Sequence, residues 1–148
     1  MKARTNNMVG ITDQLDSSNK FSNYQSDKGT IYFSNKDHQK YYNLLIKETE
    51  TPAKSKEVLV LFYILSSLIK FRKNPELFLD FAEITIKPQI FKELLSCQEQ
   101  ALIQLAFYLY TEKNIFSIKI MDLFNNLDQE GASIAISAMK LRFDLYIY

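Results

Sequence analysis

Residues 58–69, Val-Leu-Val-Leu-Phe-Tyr-Ile-Leu-Ser-Ser-Leu-Ile, form the most hydrophobic run in the chain. A helix that crosses a membrane needs about 20 consecutive apolar residues, so this run is too short to span a bilayer. Its apolar side chains surround the helix instead of lining one face, and such a helix needs neighbours on more than one side. We therefore predict a buried central helix.

A second strongly apolar helix is predicted over residues 101–109, Ala-Leu-Ile-Gln-Leu-Ala-Phe-Tyr-Leu. It follows Ser96-Cys97-Gln98-Glu99, which matches the capping-box pattern of a helix start. Capping residues, or a proline at the first helical position, predict that further helices start at Ser34, Asn74-Pro75, Lys87-Pro88, Ser117 and Asp128. The helix that starts at Asn74-Pro75 is expected to be short and to end at about Phe81. The expected fold is all-α, a compact bundle of six or seven helices around two apolar central helices.

The last predicted helix has two useful faces. An apolar stripe recurs at helical spacing through Ile134, Ala138, Leu141 and Leu145. Small residues lie on a nearby face at Gly131, Ala135 and Ala138. That face would let another helix approach closely.

Residues 1–30 differ in composition from the rest of the chain. They are rich in Asn and Ser, and their few apolar residues follow neither a helical nor an alternating period. Such a segment buries too little apolar surface to offset the entropy lost on ordering. No apolar signal-peptide core follows Lys2 and Arg4. We predict a flexible N-terminal arm, residues 1–30, and a single helical domain, residues 31–148.

Charge and composition exclude several classes of function. The 148 residues carry 18 Lys and Arg against 17 Asp and Glu, a formal net charge of +1, which removes the simplest case for a dedicated nucleic-acid or anionic-membrane binder. One cysteine and one histidine cannot form an internal disulfide or a zinc site with four Cys and His ligands. The three glycines lie too far apart for a phosphate-binding loop. We expect no metal and no cofactor.

His38 and Cys97 are the residues that an enzyme hypothesis would need. An imidazole titrates near neutral pH, and a cysteine in the first turn of a helix gains thiolate character. The two lie far apart in sequence, and no motif brings them together. A packed histidine and a small, half-buried cysteine are the preferred interpretation, so we expect no enzyme and no catalytic residues.

Two short basic groups are the candidates for nucleic-acid contact: Lys70, Arg72 and Lys73, and Lys140 with Arg142. The first group also suits a helix C-terminus, where cations complement the helix dipole. The apolar helix after Ser96 has no Arg or Lys before Lys113, whereas a helix that reads bases usually brings such side chains. Nucleic-acid binding is therefore the less favoured hypothesis.

Aromatic residues favour a protein interface. The chain has 11 Phe and 9 Tyr, and tyrosine combines an apolar ring with a polar hydroxyl. The alternative is that these tyrosines rim the helical core. The candidate partner-contact residues are His38, Tyr41, Tyr42, Tyr108, Tyr110, Tyr146 and Tyr148.

Four stretches stand out by their order and spacing: Phe33-x4-His38-x2-Tyr41-Tyr42, Asp80-Phe81-x-Glu83-x2-Ile86-Lys87-Pro88, Leu105-Ala106-Phe107-x-Leu109-Tyr110 and Ala138-x-Lys140-Leu141-Arg142-Phe143. Together they resemble a family of small proteins from Firmicutes and their phages or mobile elements, a domain family of unknown function. The resemblance covers roughly residues 31–146. It implies a compact helical protein of bacterial or phage origin in the cytoplasm, and it transfers no activity.

The leading hypothesis is a non-enzymatic protein-interaction module of a phage or other mobile element, acting as an inhibitor or modulator of a host defence protein. One alternative is a nucleic-acid-associated regulator that uses a basic surface patch. A second, less favoured, is a small Cys/His enzyme. We expect a protein partner and no membrane partner, and we leave a homodimer open.

Overall fold

The computed structural model describes residues 24–26, 29–49, 55–92 and 95–145, and this part of the chain is mostly helical. Its elements are β1 (Tyr24–Ser26), β2 (Gly29–Ile31), α1 (Lys36–Glu48), α2 (Lys56–Ser67), α3 (Ile69–Lys73), a 3₁₀ turn (Pro75–Leu77), β3 (Leu79–Asp80), β4 (Thr85–Ile86), a second 3₁₀ turn (Pro88–Lys92), α4 (Cys97–Thr111), α5 (Ile120–Asn125) and α6 (Gln129–Phe143). Each pair of strands forms a small antiparallel sheet. The predicted helical character is confirmed, while the two strand pairs were not expected.

Helix α2 is the centre of the core. Every side chain from Val60 to Ser66 is buried, and the helix packs against α1, α4 and α6. The prediction that neighbours cover it on more than one side is confirmed. Fully burying an apolar side chain of this size contributes about 1.5–3 kcal/mol, so this helix supplies much of the hydrophobic stabilisation.

The central helix ends two residues earlier than predicted. Leu68 adopts an extended backbone (φ −88°, ψ 122°), and α3 begins after it. The hydroxyls of Ser66 and Ser67 donate to the carbonyls of Tyr63 and Ile64, three residues back, at 3.0 and 2.5 Å. Serine hydroxyls that bind backbone carbonyls in this way compete with the regular helical pattern, so the serine pair marks the break.

Helices α4 and α6 start as predicted. Ser96 and Glu99 form a complete capping box at the start of α4, and the Asp128 carboxylate accepts the N–H of Gly131 at 2.7 Å at the start of α6. The small residues Gly131, Ala135 and Ala138 are all buried. Helix α6 packs against both α2 and α4, so these small residues allow the close approach that the sequence indicated. The apolar stripe on α6 ends earlier than predicted, because Leu145 is exposed.

Two predicted helix starts are wrong by a few residues. Asn35, not Ser34, caps α1, since its side-chain oxygen accepts the N–H of His38 at 2.8 Å. Helix α5 begins only at Ile120, because Ser117 lies in the left-handed region of the backbone map (φ 51°) and Lys119 is extended.

The short helix predicted from Pro75 to about Phe81 is also wrong. Only Pro75–Leu77 is helical, and the chain then forms the β3–β4 hairpin, with Leu79 opposite Ile86. The Asp80 carboxylate accepts the N–H of Ala82 at 2.9 Å, a side-chain turn that reverses the chain between the strands.

The predicted N-terminal arm falls partly within the structure. Strands β1 and β2 pair in antiparallel register, with Tyr24 opposite Ile31, so the end of the predicted arm has regular structure. Residues 1–23 lie outside the described residues. Among the helices that the structure describes, none combines the length and the apolar character needed to cross a bilayer.

Candidate functional site

His38, the single histidine, is fully buried between α1 and α2. Its Nδ1 accepts the N–H of Ser34 at 3.2 Å, and its Nε2 donates to the backbone carbonyl of Tyr63 at 2.8 Å. Because a carbonyl can only accept, the proton of the neutral ring lies on Nε2. The rings of Phe33 and Tyr63 pack on the imidazole, with centroids 4.9 and 5.0 Å away.

Burial lowers the pKa of His38 to about 4, because the imidazolium form would lose its hydration. The nearby Arg72 charge acts in the same direction, while the hydrogen bond to Tyr63 opposes it. The ring is therefore neutral at physiological pH, with both nitrogens occupied. This geometry gives His38 a structural role and no access to a partner surface.

Cys97 lies at the first position of α4, beside a polar surface pocket of about 260 Å³. It is exposed and not half-buried as predicted, because the first turn of α4 faces solvent at this position. His38 directs its ring nitrogens to Ser34 and Tyr63, so the structure does not bring the thiol and the imidazole together. Across the described ranges, no three His, Cys, Asp or Glu side chains are grouped so as to hold a metal ion.

The two basic groups lie at opposite ends of α4. Lys70 pairs with Glu99 in the first turn, at 3.0 Å, whereas the Arg142 guanidinium bonds to the Leu109 carbonyl near the last turn, at 3.1 Å. Twelve helical residues lie between Glu99 and Glu112, the second acid that pairs with Arg142, which corresponds to a rise of about 20 Å. Within the described part of the chain, the two groups therefore do not form one basic surface.

The other basic residues differ in exposure. Arg72 donates a hydrogen bond to the Ser66 carbonyl at 2.7 Å, so this carbonyl has a partner at the point where α2 ends. Lys73 is exposed and Lys140 is half-buried. An arginine bonded to a helix end is only partly available to a phosphate.

Three of the four candidate tyrosines that the structure describes lie in the core or pack against it. Tyr41 and Tyr42 are buried, and the hydroxyl of Tyr110 donates to the Ile84 carbonyl at 2.9 Å. Tyr108 is exposed. Tyr146 and Tyr148 lie outside the described residues. Of the aromatic candidates that the structure describes, Tyr108 is therefore the one placed to meet a partner.

Tyr108 lies on the wall of an apolar groove of about 350 Å³, formed where α4, α5 and α6 meet. We call it the α4–α6 groove. Its lining residues are Leu105, Tyr108, Leu109, Glu112, Ile118, Ile120, Leu123, Met139, Arg142 and Phe143.

Helical spacing builds two sides of this groove. The α4 residues recur at i, i+3, i+4 and i+7 from Leu105 to Glu112, and the α6 residues recur at i, i+3 and i+4 from Met139 to Phe143. Each set therefore lies on one face of its helix. Leu105, Leu109 and Leu123 are buried and form the floor.

The loop between α4 and α5 supplies the third side. The side chain of Asn114 accepts the N–H of Ile118 at 2.7 Å and donates to its carbonyl at 3.1 Å, so this one amide fixes Ile118 against the groove. Ile120 follows at the start of α5, with 63% of its surface exposed. Phe143 on the facing helix is 55% exposed.

Charged side chains close one end of the groove. The Arg142 guanidinium pairs with Glu57 at 3.0 Å and with Glu112, and it also bonds to the Leu109 carbonyl. A backbone hydrogen bond within Glu57 and the Arg142 charge lower the pKa of the Glu57 carboxyl. This arginine joins the start of α2 to the ends of α4 and α6.

Of the residues that line the groove, the sequence predicts a contact role only for Tyr108 and Arg142. The sequence patterns that predict these two do not indicate the apolar lining residues. A usable signal was the pair Met139 and Phe143, which lies off the apolar stripe of the last helix. A helix whose apolar residues extend beyond one stripe has a second apolar contact to make.

These features define a mostly helical domain that carries an apolar surface groove. The chain belongs to DUF6075, a family of unknown function, whose sequence profile matches residues 28–148. The predicted resemblance to a family of unknown function is confirmed. Comparison with curated proteins and with solved structures finds no match.

Proposed function

We propose that this protein is a non-enzymatic interaction module that binds a partner protein through the α4–α6 groove. One observation carries the proposal: apolar side chains from three helices converge on an open groove, and Ile120 and Phe143 on its walls remain more than half exposed. Contiguous apolar surface of this kind is unfavourable in water, and in soluble proteins it often marks a binding site.

The composition of the groove favours a protein over a small molecule. Tyrosine, phenylalanine, methionine and arginine are enriched in the centres of protein interfaces, and the lining holds all four. A small-molecule site usually encloses most of its ligand and places a few polar groups inside to orient it. Here the charged groups lie at one end and the walls open to solvent.

Two further observations support a role that involves neither catalysis nor the recognition of nucleic-acid bases. The imidazole of His38 is buried, neutral and bonded at both nitrogens, so it is not available as an acid or a base. Arg72 and Arg142, which belong to different basic groups, both bond to helix-end carbonyls.

The biological setting belongs to the same proposal. We place the protein in the bacterial cytoplasm, encoded by a phage or other mobile element, with a host defence protein as the target of modulation. The sequence resemblance given above supports this setting, as does a composition rich in Lys, Ile, Asn and Tyr, which is typical of AT-rich genomes. Genes for integrase, capsid or defence proteins next to this one would agree with that setting, and a conserved metabolic operon would oppose it.

The direct test compares two matched variants in affinity capture from a Gram-positive lysate. Ile120→Asp adds a charge to the groove wall, whereas Ile69→Asp adds the same charge at an isoleucine that is 60% exposed and does not line the groove. Both positions are exposed, so each variant should keep its stability within about 0.5 kcal/mol. Wild type and Ile69→Asp should retain the same stoichiometric protein, and Ile120→Asp should lose it. Equal capture by all three, or no stoichiometric partner for wild type, would refute the proposal.

A further inference from the structure

The α4–α6 groove has the length of two helical turns. Its α4 wall runs from Leu105 to Glu112, a rise of about 10 Å. A helix lying in such a groove presents apolar side chains at i, i+3 or i+4, and i+7, which is a common mode of peptide recognition. The groove therefore matches the apolar face of one short amphipathic helix.

Of the three charged groups that meet at one end of the groove, Glu57, Glu112 and Arg142, the Glu112 carboxylate is the most exposed to solvent. The Glu112 side chain is 71% exposed, whereas the Arg142 side chain is 11% exposed and already bonds to Glu57, Glu112 and the Leu109 carbonyl. Among the described groups that meet at Arg142, two carboxylates share one guanidinium. An approaching partner therefore meets the carboxylate of Glu112 before it meets the guanidinium.

Helix dipoles act in the same direction. Arg142, in the last turn of α6, reaches the carbonyl of Leu109 near the end of α4, so the C-terminal ends of both helices lie at this edge. The C-terminal end of a helix carries a partial negative charge and favours a nearby cation. Lys56 and Asp144 pair with each other close in sequence to Glu57 and Phe143.

We propose that the occupant of the groove is an amphipathic helix of the partner protein that carries a Lys or Arg at the end of its apolar stripe, placed to meet the Glu112 carboxylate. This inference rests on the proposed function and specifies the chemistry of the partner. Exposed ion pairs contribute little to affinity, so the charge acts mainly by selecting among apolar helices and by setting their direction in the groove.

The experiment uses two synthetic helical peptides, each with leucines at i, i+3 and i+7. One peptide has Lys at the end of the stripe and the other has Glu at the same position. Binding to the full chain is followed by fluorescence anisotropy and by the methyl NMR signals of Ile120 and Met139. We expect the Lys peptide to bind about fivefold more tightly at low salt, and we expect high salt to remove the preference.

A charge reversal on the protein completes the test. Glu112→Lys should reverse the preference, so that the Glu peptide binds more tightly, because Arg142 keeps Glu57 and the Leu109 carbonyl as partners. Equal affinities of wild type for the two peptides, or an unchanged preference in Glu112→Lys, would overturn the inference.

The remaining outcomes separate this inference from the proposed function. If neither peptide moves the methyl signals, but Ile120→Asp still loses the captured partner, the inference fails and the proposed function stands.

Two other occupants of the groove would also overturn the inference. A concentration-dependent dimer that Ile120→Asp abolishes would show a second copy in the groove. Peptide binding that appears only in the full-length variant Ile147→Asp would show that the chain's own C-terminal residues fill it.

Discussion

The Nε2 of His38 donates a hydrogen bond to the backbone carbonyl of Tyr63 at 2.8 Å, and this bond joins α1 to the middle of the central helix. The same ring accepts from Ser34 at the entry to α1. The single histidine therefore fixes the position of the first helix on the core.

Replacing His38 should destabilise the fold. His38→Ala leaves a cavity beside Phe33 and removes one hydrogen bond from each of two buried backbone groups, the Ser34 N–H and the Tyr63 carbonyl, so we expect a loss of about 3 kcal/mol in the free energy of unfolding. Urea titration followed by circular dichroism measures it. The exposed Lys47→Ala is the control and should change stability by less than about 0.5 kcal/mol. A loss as small as that for His38→Ala would contradict the role given to the ring.

The same residue predicts how stability depends on pH. The folded pKa of His38, about 4, lies below the ordinary histidine value of 6.5, so between these values the unfolded chain binds the proton that the folded chain excludes. The contribution of His38 to the free energy of unfolding is therefore fully present above about pH 6.5. It is lost as the pH falls towards 4, and the loss from this group is about 3 kcal/mol.

Comparing the pH dependence of wild type with that of His38→Gln isolates this contribution from that of the carboxylates. The variant should show a flatter decline of unfolding free energy over that range. Parallel pH profiles for the two proteins would show that His38 does not control acid stability.

Gly131 and Gln98 should be energetically coupled. A Cβ at position 131 would lie 2.7 Å from Gln98 Oε1, which accepts the N–H of Asp128 at 2.6 Å. Gly131→Ala would displace this amide and lose a hydrogen bond worth about 1 kcal/mol. In a Gln98→Ala background the remaining close contact of the added Cβ is Leu127 Cδ2 at 3.2 Å. The same substitution should therefore cost less there, because the hydrogen bond is already absent and alanine is the better helix former. Equal effects in the two backgrounds, measured by a double-mutant cycle, would show no coupling.

Arg142 should contribute to stability through its geometry as well as its charge. Its guanidinium bonds to the Leu109 carbonyl and to Glu57, contacts that a lysine ammonium at this position cannot reproduce together. We expect Arg142→Lys to lower the unfolding free energy by about 1–2 kcal/mol in thermal or urea denaturation. Lys140→Ala, two residues earlier on the same helix, should have less than half that effect. The reverse order would argue that the Arg142 contacts are not important for stability.

The parts of the fold that local sequence determines could be predicted. The two strongly apolar runs identify α2 and α4, and the capping residues Ser96 and Asp128 act on N–H groups only three residues away. The small-residue face of α6 was equally visible. Each of these features depends on neighbours in the chain, so a pattern within about one helical turn is enough to find it.

Features that depend on distant contacts could not be predicted. Ser34 and Asn35 are both good capping residues, and Ser34 instead binds His38, whose position depends on α2. The β3–β4 hairpin is held in part by Tyr110, 26 residues away from Ile84 in sequence. The two-residue strands carry too short a pattern to be distinguished from a helical turn.

The groove could not be predicted for the same reason. Its sides come from α4, α6 and the segment from the α4–α5 loop into α5. No local sequence pattern predicts how these parts are arranged, so the sequence points only to Tyr108 and Arg142, each for a different reason. The sequence suggests an interaction surface through its tyrosine content, whereas the most exposed apolar side chains of the groove are Ile120 and Phe143.

The central claim is that the α4–α6 groove is the surface that meets the partner. Amide hydrogen exchange of the full chain, free and bound to its captured partner, tests this claim most directly. We predict that binding slows exchange in residues 105–112, 118–123 and 139–143 and leaves α1 unchanged. Protection confined to α1, or to the Cys97 end of α4, would contradict the account.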